Sequence, residues 1–147
     1  MLIRQADKAH IPDIARLFDL YRQFYECEPD IELATKYILE RINQNESIIF
    51  FAESDGKYLG FVQMYPSFCS VEAVSIFILY DLYVDGSARD LGVGTLLMEK
   101  AKEYAKGQGA SRIDLMTAFS NKAGQHLYEK LGYKKTNENF HNYSLPI

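Results

Sequence analysis

The sequence predicts a mixed α/β fold, and three observations carry that expectation. Segments with a 3.6-residue apolar period alternate with runs of β-branched and aromatic residues. One long apolar run, Val71 to Val84, reads as a buried central strand. It is followed at once by a loop with two glycines and an amphipathic helix, the opening of a strand–helix–strand crossover. The chain has 147 residues, which suits one domain and leaves little room for two. A single domain over residues 1–147 is therefore expected.

Leu2 to Gln5 is a short first strand. From Asp7 to Tyr25, Ile11, Ile14, Ala15, Phe18, Tyr21 and Tyr25 fall on one helical face. Pro12 restricts the start of that helix. The acidic segment Glu26-Cys27-Glu28-Pro29-Asp30 breaks it, and Asp30 caps a second helix whose stripe is Ala34, Tyr37, Ile38 and Ile42. Ser47 to Ala52 is rich in strand formers, and Ser54-Asp55-Gly56-Lys57 reads as a hairpin turn into a strand from Tyr58 to Tyr65. Pro66 to Ser70 reads as a loop before the central strand. Val93 to Lys106 is helical, with Val93, Leu97, Ala101 and Tyr104 inward, and stops at Gly107-Gln108-Gly109. Ser111 to Thr117 is a further strand, and Asn121 to Leu131 a helix stopped by Gly132. Tyr133 to Lys135 and Asn139 to Leu145 read as two final strands. The predicted order is βααβββαβαββ.

Composition removes several classes of function. Hydrophobic residues make up 48% and charged residues 24%, ordinary values for a soluble globular chain. The net charge of -4 argues against general nucleic-acid binding, which needs a basic face. It suits a small cationic or neutral substrate. Cys27 and Cys69 are too few for a disulfide scaffold and too far apart for a metal knuckle. A reducing cytoplasm is the simplest location. No signal-peptide pattern opens the sequence, and no stretch of about 20 apolar residues is present to span a membrane. His10, His126 and His141 lack metal-ligand spacing, so no metal is expected.

The chemistry-bearing segment is Arg89-Asp90-Leu91-Gly92-Val93-Gly94-Thr95. Its glycines let the backbone approach a bound group closely. The N–H groups of the first helical turn lack intrahelical partners and sit at the positive end of the helix dipole, so an anion such as a pyrophosphate fits there. A tight turn alone would also account for the glycines. A P-loop needs Gly-x-x-x-x-Gly-Lys-Ser/Thr, which is absent. A dinucleotide fingerprint fails too, because Leu97 stands where its third glycine belongs.

With its preceding strand Leu82-Tyr83-Val84-Asp85, this segment resembles motif A of the GNAT superfamily, the acetyl-CoA-dependent N-acetyltransferases. The later run from Asn121 to Tyr133 resembles motif B of the same family, Asn-x-x-Ala-x-x-Leu-Tyr-x-x-x-Gly-Phe/Tyr. Gly124 departs from that pattern, with Ala123 beside it. Ile3-Arg4-x-Ala6 and Gly60-Phe61-Val62 match as well, so the resemblance runs along nearly the whole chain. Tyr65 to Phe68 and Leu79 to Val84 are also similar to a branch with polyamine, amino-acid and histone-tail acetyltransferases.

The resemblance implies a single GNAT domain, a central mixed sheet with a splayed strand pair flanked by helices. It implies that the pantetheine arm of acetyl-CoA lies in the splay against backbone groups of Leu82, Tyr83 and Val84. Arg89 and the amides of Asp90, Leu91, Gly92, Val93, Gly94 and Thr95 would hold the pyrophosphate. Asn121 would bond the pantetheine arm, although its position before a helix also suits a plain cap. A backbone N–H near Leu82 would polarise the thioester carbonyl. Tyr128 would protonate the leaving thiolate, since a phenol in water keeps its proton at neutral pH; packing against the sheet is its other reading. Dimerisation is common in the family, and the strand with Phe140, His141, Asn142 and Tyr143 offers an edge for it.

Some family members use a Glu on the central strand as general base. Here the nearby positions are Ile78 and Tyr80, and Asp81 is the nearest carboxylate, with Glu72 a weaker candidate and a water chain the alternative. Cys69 lacks an evident His partner and reads as a loop thiol rather than a nucleophile. The expected activity is direct acetyl transfer to a primary amine, a small molecule or a peptide lysine. Glu26, Glu28 and Asp81 point to a cationic acceptor. A CoA-binding module without catalysis is the rival reading.

Overall fold

Among the described residues, 1–136 and 138–147, the computed structural model has one five-stranded sheet in the order β1-β2-β3-β4-β5. The strands are β1 (Leu2–Gln5), β2 (Ile48–Ser54), β3 (Lys57–Cys69), β4 (Val74–Val84) and β5 (Ile113–Leu115). The helices are α1 (Ile11–Phe24), α2 (Ile31–Asn43), α3 (Val93–Gly107) and α4 (Lys122–Lys130). The chain divides into two compact units, Met1–Met116 and Thr117–Ile147. The first holds the sheet with α1 to α3, and the second holds α4.

Local chemistry sets the boundaries. Asp7 caps a short 3-10 turn, Lys8–His10, by accepting from the Ala9 N–H at 2.8 Å. Pro12 lies in the first turn of α1, where no intrahelical donor is lost. Asp30 caps α2 by accepting from the Leu33 N–H at 3.0 Å, as its sequence position predicts. Asp55 (φ 52°) and Gly56 (φ 71°) both take the left-handed conformation that a tight two-residue hairpin requires.

β1, β2, β3 and β4 run antiparallel in succession, and β4 and β5 are parallel with α3 as the crossover. Ile14, Leu17 and Phe18 of α1, with Ala34 and Ile38 of α2, pack on Ile49, Phe51 and Phe61. On the other face, the Tyr104 ring of α3 stands edge-on to Phe50 and Phe77, at centroid distances of 5.5 and 5.9 Å. Each such buried side chain is worth roughly 1.5–3 kcal/mol of hydrophobic free energy. The sheet is thereby held between two helical layers, α1 with α2 and α3.

Several boundaries differ from the sequence expectation, and β5 covers only Ile113–Leu115 of the expected Ser111 to Thr117. β3 runs on through Pro66 to Cys69, where a loop was expected, with Pro66 opposite Phe77. β2 has no pairing with β3 beyond Met64, so that part of β3 is an edge, and an edge tolerates a missing N–H. The turn before β4 reaches to Ala73, and the strand starts at Val74 rather than Val71. Tyr133 to Lys135 and Asn139 to Leu145 form no strand among the described residues. Phe140, Tyr143 and Leu145 stay exposed, without the cross-strand neighbours that stabilise a strand. No helix among the described residues is long and apolar enough to cross a membrane.

Candidate active site

β5 pairs with β4 only where Phe77, Ile78 and Leu79 face Ile113, Asp114 and Leu115. From Tyr80 to Val84, β4 is paired with β3 alone among the described residues. Leu82, Tyr83 and Val84 therefore lie on a strand edge with backbone groups available for an extended ligand. The divergence begins at an irregularity. Gln63 faces Asp81 while Met64 faces Leu79, so Tyr80 is the extra residue of a β-bulge. Bulges re-aim side chains and end pairing, and they are common beside active sites.

The bulge places Asp81 opposite Gln63, on the face covered by α1. Asp81 is 4% exposed and Gln63 is 0% exposed. Ser47 Oγ donates to Gln63 Oε1 at 2.8 Å, and Gln63 Nε2 donates to Asp81 Oδ2. Tyr21 of α1 also hydrogen-bonds the carboxylate, and its hydroxyl donates to the Tyr80 carbonyl at 2.9 Å. Burial raises the Asp81 carboxyl to about 6, against the downward pull of the Gln63 and Tyr21 hydrogen bonds. A carboxyl poised there can be ionised at neutral pH and still accept a proton, as a general base must.

A second polar group borders this one. The Tyr37 and Tyr65 hydroxyls are 2.6 Å apart, and the Tyr65 ring meets the Tyr80 ring at 5.7 Å. Burial, then the Tyr37 hydrogen bond, pushes the Tyr65 phenol well above its ordinary range. Arg41 lies over the Tyr37 ring at 4.6 Å.

Glu26 and Glu28 lie exposed on the connection between α1 and α2. The buried Asp19 pins that connection by accepting from the Asp30 N–H at 2.9 Å, and Glu26 itself has φ 65°. Tyr25, beside Glu26, stacks edge-on to Tyr21 at 5.2 Å. One tyrosine thus separates the acidic loop from the surroundings of Asp81.

The glycine loop is shaped by backbone conformation. Asp85 accepts from the Ser87 N–H at 3.1 Å and pairs with Arg16 at 3.3 Å. Asp90 (φ 64°) and Gly92 (φ 77°) are left-handed, and Gly92 is the N-cap of α3 without any side-chain cap. A left-handed non-glycine residue costs free energy and is concentrated at functional sites. The first-turn amides of Val93, Gly94 and Thr95 are thus at the positive end of α3 with no capping side chain. Leu91 is exposed, and exposed Arg89 makes one long contact from Nε to the Val84 carbonyl, 3.5 Å.

In the second unit, Asn121 caps α4. It accepts from the Gly124 N–H at 3.1 Å and donates to Thr117 Oγ1 at 3.0 Å. A Cβ on Gly124 would lie 2.5 Å from Asn121 Nδ2. The glycine that departs from the motif thus makes room for this side chain. The half-buried Tyr128 ring is 6.1 Å from that of Tyr133, and the Tyr128 carbonyl accepts from the Leu131 and Tyr133 N–H groups.

Residues 14–133 match the acetyltransferase (GNAT) family. The chain belongs to that family. This acetyltransferase is 41% identical over 135 residues to the uncharacterized N-acetyltransferase YhfO of Bacillus subtilis, covering 92% of this chain and 91% of the relative. A crystal structure of a probable acetyltransferase superposes with a TM-score of 0.91 at 38% identity, over 100% of this chain and 98% of the other. A predicted acetyltransferase with acetyl-CoA from Clostridium acetobutylicum shares the fold at TM-score 0.78 and 17% identity, over 97% and 95% of the two chains.

Gln63, Ser47, Tyr21 and Asp19 escaped the sequence reading of this acetyltransferase. The available signal was polarity out of place: Gln63 and Asp81 interrupt the largely apolar runs 59–65 and 76–84. Cys69 ends β3 opposite Val74, the first residue of β4, and is roughly 20 Å of strand from Asp81. A backbone hydrogen bond at Glu72, and then the Arg112 side chain, lower its thiol. Glu72 pairs with Arg112 at 2.8 Å in that same region. Among the described residues no cluster of His, Cys, Asp and Glu has the makings of a metal site.

Proposed function

We propose that this acetyltransferase moves an acetyl group from acetyl-CoA directly to the primary amine of a cationic acceptor in a ternary complex. The observation that carries this reading is the Asp81 carboxylate at the β4 bulge, where β4 parts from β5. The acetyl-CoA neighbour from Clostridium acetobutylicum supports the donor. So do the uncapped first turn of α3 and the unpaired edge of β4, which suit a pyrophosphate and an extended arm. Backbone groups of Leu82 and Val84 take the arm, the amides from Asp90 to Thr95 take the pyrophosphate, and Arg89 adds charge. Asn121 bonds the pantetheine.

Bound acetyl-CoA supplies an activated carbonyl. Asp81 accepts a proton from the acceptor ammonium, and the freed nitrogen attacks that carbonyl. As the C–N bond forms and the C–S bond breaks, Tyr128 gives its proton to the departing sulfur, and the second proton that leaves the nitrogen to form the amide restores the phenol. Glu26 and Glu28 raise the local concentration of the cation. A panel of diamines, basic amino acids, a lysine peptide and neutral amines, assayed by thiol release, tests the reading. Transfer to none of them by a chain that still binds CoA would leave only a binding module.

Two variants probe the halves of the site. Gly94→Val puts a branched side chain in the first turn of α3. Acetyl-CoA affinity should weaken by at least about tenfold, a 1.4 kcal/mol effect, and calorimetry on the folded variant measures it. Glu28→Gln should raise KM for a diamine by about two- to threefold and leave kcat unchanged. Because exposed charges are screened, about 0.5 M salt should erase the difference. Equal KM values for charged and neutral amines would remove the steering role.

A further inference from the structure

Gln63 is fully buried beside the core residues Phe61, Val62 and Met64 of β3, and the proposed acetyl transfer makes no use of it. A buried amide must satisfy an acceptor oxygen and a donor NH₂ group. Here the oxygen is satisfied by the Ser47 hydroxyl at 2.8 Å and the NH₂ group by Asp81. Both bonds point the same way, donor to acceptor, from Ser47 to the carboxylate. A chain so directed favours the ionised form of Asp81, whereas a carboxylic acid would be better served by an acceptor. We propose that Gln63, supported by Ser47, is a positioning residue that holds the Asp81 carboxylate ionised and oriented to receive the acceptor's proton. The inference rests on the acetyl-transfer reading above and assigns a part to a residue that touches neither substrate.

The step balances simply. The ammonium gives one proton to the carboxylate, leaving a neutral amine and a carboxylic acid, and no electrons change hands. Gln63 remains in place and fixes the oxygen to which it donates. Of the roughly four acceptor positions of a carboxylate, Gln63 and Tyr21 use two.

The groups that face Asp81 are few. Tyr21 comes from α1, Gln63 and Tyr65 from β3, and Tyr80 is its neighbour on β4. Behind Tyr65 stand Tyr37 and Arg41 of α2, and the Arg41 guanidinium is engaged by Glu46 at 3.2 Å and Glu40 at 3.4 Å. Asp81 forms no ion pair with Lys, Arg or His among the described residues. Neutral donors alone therefore offset its burial, and Gln63 is one of two. Tyr21 is the less constant, because its single hydroxyl proton is shared between Asp81 and the Tyr80 carbonyl at 2.9 Å.

The test compares the wild-type protein, Gln63→Met and Ser47→Ala by two readouts. Methionine keeps the length and apolar stem of the side chain and deletes the donor. With carboxyl-¹³C aspartate incorporated, the Asp81 signal is the one that disappears in Asp81→Asn. Its titration midpoint should rise by about one pH unit or more in Gln63→Met, the worth of a hydrogen bond to a charged group. Ser47→Ala should shift it the same way by less, and it carries the test if Gln63→Met does not fold. The acid limb of kcat/KM for the best amine should move by the same amount. At pH 6 that is about a fivefold loss, approaching tenfold at about pH 5 and shrinking toward none above pH 8.

An unshifted midpoint, or a rate loss equal at every pH, would make Gln63 a packing residue and overturn the inference while the acetyl-transfer reading stands. A shifted midpoint without a matching shift in the rate profile would show that Asp81 is not the proton acceptor. The reading on which the inference rests would then fail with it.

Discussion

Asp81→Asn should slow amine acetylation at pH 8 by about a hundredfold or more, the range for a lost general base, and at the same time raise the melting temperature. The two effects share a cause. The folded carboxyl titrates near 6 rather than at its ordinary 3.8, chiefly because it is buried. Between those values the folded protein holds a proton that the unfolded chain has released. Stability from this group is therefore full below pH 3.8 and is lost as the pH rises through 6. At pH 8 the buried charge costs on the order of 3 kcal/mol. Asparagine has no charge to bury. Its oxygen can accept from Gln63 and its NH₂ can donate to the Tyr21 hydroxyl, which keeps its own bond to the Tyr80 carbonyl. Melting curves of the two proteins should nearly coincide at pH 4 and separate by about 5–10 °C at pH 8. A variant as active as wild type, or less stable at both pH values, would remove Asp81 from the proton-transfer role.

The contrast between Asp81 and its partners shows what kind of information a sequence carries. Helix boundaries were legible because local chemistry sets them. Asp30 caps α2 whatever the sheet does, and Asp55-Gly56 makes its turn from two residues alone. The α3 loop was legible for the same reason, since glycine and helix start are adjacent in sequence. Gln63 and Asp81 are 18 residues apart, and they meet only because the bulge at Tyr80 shifts the β3–β4 register by one residue. Without that shift Gln63 would face Tyr80. Nothing local in the sequence announces such a shift.

Pro66 misled for the opposite reason. Its local signal says loop, but β3 has become an edge at that point, and the missing donor costs no ladder bond. The final segments misled because apolar side chains such as Phe140 and Tyr143 read as strand formers, and strand propensity expresses packing against neighbours more than an intrinsic backbone preference. Gly124 is a milder case. Its departure from the motif has no local explanation in the sequence, and the Asn121 side chain occupies the space where its Cβ would stand.

Tyr128→Phe should lower the rate of acetyl transfer by at least about tenfold and up to the 10²–10⁴ typical of lost acid catalysis, with acetyl-CoA affinity little changed. The ring and its 6.1 Å approach to Tyr133 remain. The backbone role of Tyr128, whose carbonyl accepts from Leu131 at 3.1 Å and Tyr133 at 3.0 Å to close α4, does not involve the hydroxyl. Helix α4 should therefore persist, and a circular dichroism spectrum like that of wild type verifies it. The decisive comparison uses acetyl thioesters of increasingly acidic thiols. A thiolate that leaves readily needs no proton at the transition state. The deficit of Tyr128→Phe should therefore shrink steadily as the leaving thiol becomes more acidic. Single-turnover measurements keep product release from masking the chemical step. A deficit that is the same for every thioester would assign the hydroxyl to positioning rather than proton donation. No deficit at all would leave Tyr128 a packing residue, and the thiolate would then leave unprotonated or take its proton from water.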